Sequence, residues 1–265
     1  MLLPSNWSLI ISIVEPISGP IYTLVINLGL PKYQKRTHTP KYVPEVVSIR
    51  NLEVGFNGSP LLSIDEFLVN QGEVLAITGP SGIGKTSLLK TIAGILKPIS
   101  GTVKVCGATI PHRPERGSIG YIPQKLGLVR HSSVWANVML GSRAGNPRAE
   151  SREHAMNAIE VLGLKEKKNE PIKRLSGGQQ RRVATARTLA QRPALILADE
   201  FLSELDEETS DRVVNSVLEY VRSSNTAMIL VEHDISRAKQ ISDRLLVIDD
   251  GRLNPFITDT SVLEV

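Results

Sequence analysis

Eight residues, Gly79-Pro80-Ser81-Gly82-Ile83-Gly84-Lys85-Thr86, constrain this chain more than any other stretch. They follow Val74-Leu75-Ala76-Ile77-Thr78, an apolar run that reads as a buried strand. They precede Ser87-Leu88-Leu89-Lys90-Thr91-Ile92-Ala93-Gly94-Ile95-Leu96, whose apolar residues recur at helical spacing. Strand, glycine turn, Lys-Thr and helix, in that order, make a phosphate-binding loop.

The residue types follow from the ligand. A triphosphate needs backbone N–H groups aimed at it, and glycines let the main chain curl close enough to supply them. The helix N-terminus adds partial positive charge. Lys85 reaches the β- and γ-phosphates, the Thr86 hydroxyl ligates Mg²⁺, and Ser87 continues the site into the helix. An ordinary glycine turn is the bland alternative. Chance alone gives this spacing in roughly one per cent of chains of this length, and the flanking strand and helix weaken that alternative further.

Composition bears on the rest mainly by exclusion. Hydrophobic content of 41% and charged content of 22% fit an ordinary globular chain. Aromatics are 4% and the net charge is +4 with no dominating basic block, so no nucleic-acid partner is expected. Cys106 is the only cysteine, which excludes an intrachain disulfide and a cysteine metal cluster and fits a reducing compartment.

Residues 1–45 differ in character from the rest of the chain. Met1 to Leu30 is apolar apart from Glu15 and is broken by Pro4, Pro16 and Pro20; a basic stretch containing Lys32, Lys35, Arg36 and Lys41 comes next. Glu15 in mid-span costs about 2.5–3.5 kcal/mol on insertion scales, and three prolines oppose a continuous spanning helix. No positive charge precedes the apolar run, so a signal peptide fits poorly. Two readings stay open. The segment lies on a membrane or against a membrane partner, or it is a disordered tail or the product of an upstream start site.

From Val46 the pattern is globular. Strands are expected over Val46–Arg50, Leu61–Val69, Val103–Val105, Ser118–Ile122, Ala194–Leu197 and Ala227–Val231, with a closing hairpin through Asp249-Asp250-Gly251. Residues from about 131 to 175 read as helical, with Trp135, Val138 and Met139 on one face. Lys165 to Arg174 reads as a solvated helix end. Arg181 to Ala190 reads as a helix with Val183, Ala186 and Leu189 on one side and arginines on the other. The expected fold class is α/β: a mostly parallel sheet covered on both faces, an antiparallel β subdomain on the N-terminal side and a small helical subdomain over about 130–176.

Two further motifs carry chemistry. Leu195-Ile196-Leu197-Ala198-Asp199-Glu200 is an apolar strand ending in two acids. Beside a phosphate loop, Asp199 is placed to hold Mg²⁺ and Glu200 to polarise an attacking water. Leu175-Ser176-Gly177-Gly178-Gln179-Gln180 is a second glycine turn feeding a helix, an anion site without a lysine. Such a half-site makes sense if it completes the nucleotide of another subunit.

Leu-Ser-Gly-Gly-Gln after a phosphate loop and before an Asp-Glu strand resembles the ATP-binding cassette (ABC) family, over about Val46 to Leu253. The resemblance implies a P-loop NTPase fold and MgATP hydrolysis. It implies that Gln124, ending Tyr121-Ile122-Pro123-Gln124, senses Mg²⁺ and couples to a membrane partner. It makes His233 the switch histidine at the γ-phosphate and Asp206 part of the loop communicating across a dimer. It also gives Phe56 the role of stacking on adenine, with core packing as the alternative. Lys85, Gln124, Glu200 and His233 are then the catalytic set. Gly79 through Ser87, with Ser176, Gly177, Gly178 and Gln179 of a second copy, hold the nucleotide; Thr86, Asp199 and Gln124 hold the metal. Phe201-Leu202-Ser203-Glu204 departs from the proline-containing run that members often carry there.

The expectation is the ATPase subunit of a transporter, a head-to-tail dimer, most simply a homodimer. It would bind transmembrane permease subunits as a peripheral protein at the cytoplasmic face of the cell membrane. The stretches from Tyr121 to Val129 and from Ala136 to Gly141 are most similar to phosphonate-importer-type and lipoprotein-release-type ATPases. The sequence ends soon after Leu253, so no added regulatory domain is expected. A soluble, non-transport ABC ATPase is the alternative; repair-type members insert long coiled coils between the two nucleotide motifs, and translation-type members usually carry two cassettes. A regulatory subunit that barely turns over is opposed by the presence of both Glu200 and His233.

Overall fold

The computed structural model describes residues 44–201 and 207–256. The N-terminal extension and Asp206, with Glu204 beside it, lie outside the described residues.

Three short strands form the middle of the parallel part of the sheet: β3 (Val74–Thr78), β7 (Leu195–Asp199) and β8 (Ala227–Val231), buried at every position. Strand alternation divides each of them between two cores. Val74, Ala76, Ile196, Ala198, Met228 and Leu230 face one side, and Leu75, Ile77, Leu195, Leu197, Ile229 and Val231 face the other. Strands buried on both faces have no polar face to show, which is why they read as continuous apolar runs. Each fully buried Val, Leu or Ile contributes about 1.5–3 kcal/mol.

Among the described residues ten strands form one sheet. Besides the three central strands, these are β1 (Glu45–Phe56), β2 (Ser59–Asn70), β4 (Ser100–Val105), β5 (Ala108–Thr109), β6 (Ile119–Ile122), β9 (Arg244–Asp249) and β10 (Arg252–Pro255). Their order is β5-β4-β1-β2-β10-β9-β3-β8-β7-β6. Within the run from β9 through β3, β8 and β7 to β6, every pairing is parallel. Strand β1 pairs antiparallel with β2 and β4, and β4 with β5. The closing hairpin β9–β10 does more than end the sheet: β10 meets β2 at Arg252 and Ser63 and joins the antiparallel part to the parallel part.

Helix α1 (Lys85–Ile92) follows β3 and packs Leu88, Leu89 and Ile92 into the core shared with β1 and β4. The opposite core holds α2 (Val134–Gly145), α3 (Ser151–Val161) and α4 (Gly177–Leu189) with α5 (Glu207–Ser223) and α6 (Ile235–Ile241). The stretch expected to be helical therefore contains two α-helices, α2 and α3. Lys165 to Arg174 is not a helix end but two single 3₁₀ turns, Lys165–Lys167 and Ile172–Arg174. A bridge between Ser133 and Pro171 closes this segment at its base.

Helix α4 starts four residues before the sequence pattern suggests, because Ser176 and Gln179 form a capping box at its N-terminus. Its arginine side is not solvated throughout: Arg181 is 1% exposed. Helices α2 and α4 approach closely because Gly141 and Gly145, one turn apart, present no side chain. A Cβ on Gly141 would lie 1.9 Å from the Arg187 carbonyl oxygen, and one on Gly145 2.1 Å from that of Gln191.

Candidate active site

The four parallel strands β3, β8, β7 and β6 all end on the same edge of the sheet. Their carboxyl ends carry, in turn, the glycine loop, His233, Asp199-Glu200 and Gln124. Crevices at the carboxyl ends of parallel strands are where open α/β sheets bind ligands.

Gly82 and Gly84 stand at φ 81° and 111°, and Gly84 caps α1 from the left-handed region. No side chain caps this helix, so its first N–H groups face the loop. A Cβ on Gly82 would meet nothing within 4 Å, so the space beside it is open. Lys85 folds back over the loop, its Nζ donating to the carbonyls of Gly79 at 2.6 Å and Pro80 at 2.8 Å. Burial lowers its pKa, and the charges of Glu200 and Asp199 act in the opposite direction.

Asp199 is buried, and Thr86 Oγ1 donates to its Oδ1 at 3.0 Å. Tyr121, from β6, donates to Oδ2 at 3.4 Å. Burial raises the Asp199 pKa, and the hydrogen bond from Thr86 lowers it in part. A hydroxyl oxygen and a carboxylate oxygen this close are a donor set that fits a hard divalent cation.

Glu200 lies between Gln124 and His233. Gln124 Nε2 donates to Oε2 at 2.6 Å, and His233 Nε2 lies 2.9 Å from Oε1, within hydrogen-bond distance. The Glu200 backbone is at φ 53°, a left-handed conformation that costs a non-glycine residue about 1–3 kcal/mol and persists only where its surroundings hold it. Its N–H donates to the Val231 carbonyl and its own carbonyl accepts from Arg181 Nη1, at 3.0 and 3.1 Å.

The structure thus gathers Lys85, Thr86 and Asp199 into one cluster and Gln124, Glu200 and His233 into the next. Gln124 stands with Glu200, its amide donating to that carboxylate. Phe56 ends β1 and is 53% exposed, which removes core packing as its role. Ser176 caps α4 and Gly177, Gly178 and Gln179 form its first turn; a Cβ on Gly177 would meet nothing. Tyr121, Arg181, Asn137 and Arg187 were not expected from sequence. Asn137 bonds the backbone of Val129 in both directions, and Arg187 donates to the carbonyls of Leu126 and Gly127, so the segment after Gln124 is held from α2 and α4. Of these four, only Arg181 carried a signal, as a charge just inside the glycine-led helix.

Fold and site define a P-loop ATPase with a second glycine-led helix start. The chain belongs to the ABC transporter family, whose model matches residues 62–203. It is 36% identical over 220 residues to the L-cystine transport system ATP-binding protein TcyN of Escherichia coli K12, covering 78% of this chain and 88% of the relative. It is 36% identical over 216 residues to the methionine import ATP-binding protein MetN of Rhizobium etli, covering 79% of this chain and 60% of that one. The solved structure of cbiO1 from Clostridium perfringens, part of the ABC transporter complex cbiONQ, superimposes with a TM-score of 0.69 at 27% identity, over 79% of this chain and 86% of that one. The chain is accordingly an ATP-binding, ATP-hydrolysing transporter subunit, and the soluble alternative finds no support among these relatives. Among the described residues no helix is long and apolar enough to cross a membrane.

Proposed function

We propose that two copies of this chain close head to tail around two ATP molecules, and that this closure drives separate permease subunits at the cytoplasmic face of the membrane. The observation that carries the reading is the convergence of Thr86 with Asp199, at 3.0 Å, and of Gln124 and His233 on Glu200, at 2.6 and 2.9 Å. A catalytic group and a cation-fitting pair on one sheet edge are what γ-phosphate hydrolysis requires.

In this reading the loop from Gly79 to Ser87 cradles the phosphates with main-chain N–H groups, and Lys85 turns from its own carbonyls to the γ-phosphate. Phe56, exposed at the end of β1, stacks on the adenine. Thr86 and Asp199 would hold Mg²⁺, with Gln124 near them; the bound ion supplies neutralisation of phosphate charge. Glu200 exchanges the donor on one of its oxygens for a water and accepts that water's proton there, as the water oxygen bonds to the γ-phosphorus and the bond from that phosphorus to the β–γ bridging oxygen breaks, releasing ADP. His233 is one hydrogen bond away from that carboxylate and stabilises the γ-phosphoryl group as it passes from ADP to the water.

The other half of each site comes from the second copy. The capped α4 N-terminus offers Ser176 and the N–H groups of Gly177 and Gly178 to an anion, with open space in front of Gly177. It carries no lysine, so it completes a site rather than making one. Asp206 is assigned to the same dimer contact. Residues 46–265 act as one ATP-binding domain, and its helical part, over about 130–176, meets the permease. Val129 and Leu140, apolar and exposed in and near the segment after Gln124, support that contact.

Glu200→Gln tests the reading. The variant binds ATP, loses turnover by about a hundredfold or more, and accumulates as an ATP-dependent dimer in size-exclusion chromatography. Turnover at the parent rate removes Glu200 from the role of base.

A further inference from the structure

Arg181 sits in the second turn of α4 and is 1% exposed, a guanidinium withdrawn from water. Burying a guanidinium is unfavourable unless its donors are used, and an apolar side chain of similar length would fill the same space. One of its donors, Nη1, goes to the carbonyl oxygen of Glu200 at 3.1 Å. That carbonyl belongs to a residue whose backbone occupies the left-handed region at φ 53°. The peptide on its N-terminal side is fixed by the bond from the Glu200 N–H to Val231. Arg181 fixes the peptide on the other side. Between them the two bonds determine where the Glu200 side chain starts, and hence that its two oxygens reach Gln124 and His233.

We propose that Arg181 is a positioning residue for ATP hydrolysis. Its guanidinium holds the main chain of Glu200 so that the carboxylate stays between Gln124 and His233. It thereby makes that placement depend on α4, the helix whose first turn completes the ATP site of a second copy. The inference rests on Glu200 being the base. Arg181 acts on the reaction through Glu200. Binding of ATP, which uses the loop from Gly79 to Thr86, does not need it.

The test compares Arg181→Met, which keeps the length and removes the donors, with Arg181→Lys, which keeps a charged donor, in the full chain. Turnover, ATP affinity and thermal midpoint are measured for each. Misplacing a catalytic group by about an ångström costs up to roughly a hundredfold in rate. Arg181→Met is expected to lower kcat about ten- to a hundredfold with ATP affinity within about twofold of the parent, and Arg181→Lys to recover part of the loss. If Arg181→Met does not fold, the lysine variant carries the test, with a lowered kcat at unchanged affinity as the supporting result. Parent-like kcat in the folded variants overturns the proposal. So does a fall in kcat that comes only with equal losses of ATP affinity and thermal midpoint, which marks a general packing role. Glu200→Gln is run beside them. If it turns over normally, the assignment of the base has failed; if it is inactive while the arginine variants are normal, only the positioning role has failed.

Discussion

Lys85 places its charge on two carbonyls of its own loop, at 2.6 and 2.8 Å, and a triphosphate competes with those carbonyls for the same ammonium. The exchange favours the phosphate because a hydrogen bond between two charged groups is stronger than one to a neutral acceptor. Lys85→Ala removes that interaction, and ATP affinity falls by about 3 kcal/mol, roughly a hundredfold, in a nucleotide titration. Undiminished affinity rejects the loop as the phosphate site. Lys85, Thr86, Asp199 and Glu200 were all legible in the sequence, because the chemistry of phosphate and cation fixes residue types at fixed offsets. The contacts of Tyr121 and Arg181 were not. Tyr121 reaches Asp199 from another strand and Arg181 reaches a carbonyl far along the chain, and neither contact leaves a local pattern.

Among the elements, α4 is more enclosed than its sequence pattern suggests. Val183, Ala186 and Leu189 form its apolar face, yet Arg181, Ala184, Thr185 and Thr188 are buried too. A helix enclosed on nearly every side needs small residues for close neighbours rather than a single apolar stripe. Gly141 and Gly145 supply that closeness from α2, and a Cβ at Gly141 would run into backbone rather than a yielding side chain. Gly141→Ala is expected to cost about 2–3 kcal/mol and lower the thermal midpoint by roughly 5–10 °C in a melting experiment. Gly177→Ala, where a Cβ meets nothing, leaves the midpoint unchanged and serves as the control. Equal midpoints for both would mean that α2 and α4 do not meet through Gly141. The central strands were legible to within a residue or two because continuous apolar runs of this length are buried strands in a parallel sheet. Helix α5 has no counterpart among the sequence expectations. The charged run after α3 resembles a helix end, yet folds as two 3₁₀ turns because the bridge at Pro171 draws it back toward the start of α2.

For the whole molecule, the head-to-tail arrangement makes a prediction that one chain's contacts do not. If each ATP lies between Lys85 of one copy and Ser176 of the other, Lys85→Ala and Ser176→Arg each ruin both sites of their own homodimer. Mixed together, they form a dimer with one intact composite site, built from the loop of the Ser176→Arg chain and the α4 N-terminus of the Lys85→Ala chain. Two inactive proteins should therefore regain measurable hydrolysis on mixing, on the order of half the parent rate per dimer if the sites act independently. No recovery, with mixed dimers present by native mass spectrometry, would rule out shared sites.

The sequence by itself determined the family and marked the candidate parts of an ATP site. A phosphate loop, a paired-acid strand end and a second glycine-led helix each state their chemistry in a few adjacent residues. It also determined the class of fold, through the period of its apolar residues. Only the tertiary structure decided how the parts are held: that β10 joins the antiparallel and parallel parts into one sheet, that Gln124 and His233 share Glu200 between them, and that a buried arginine on α4 grips the backbone of that glutamate. The loop from Gly79 to Thr86 could be recognised alone because the main-chain groups proposed to hold phosphate lie within a few adjacent residues. The position of Glu200 could not, because it depends on strand order and on contacts between residues far apart in the chain.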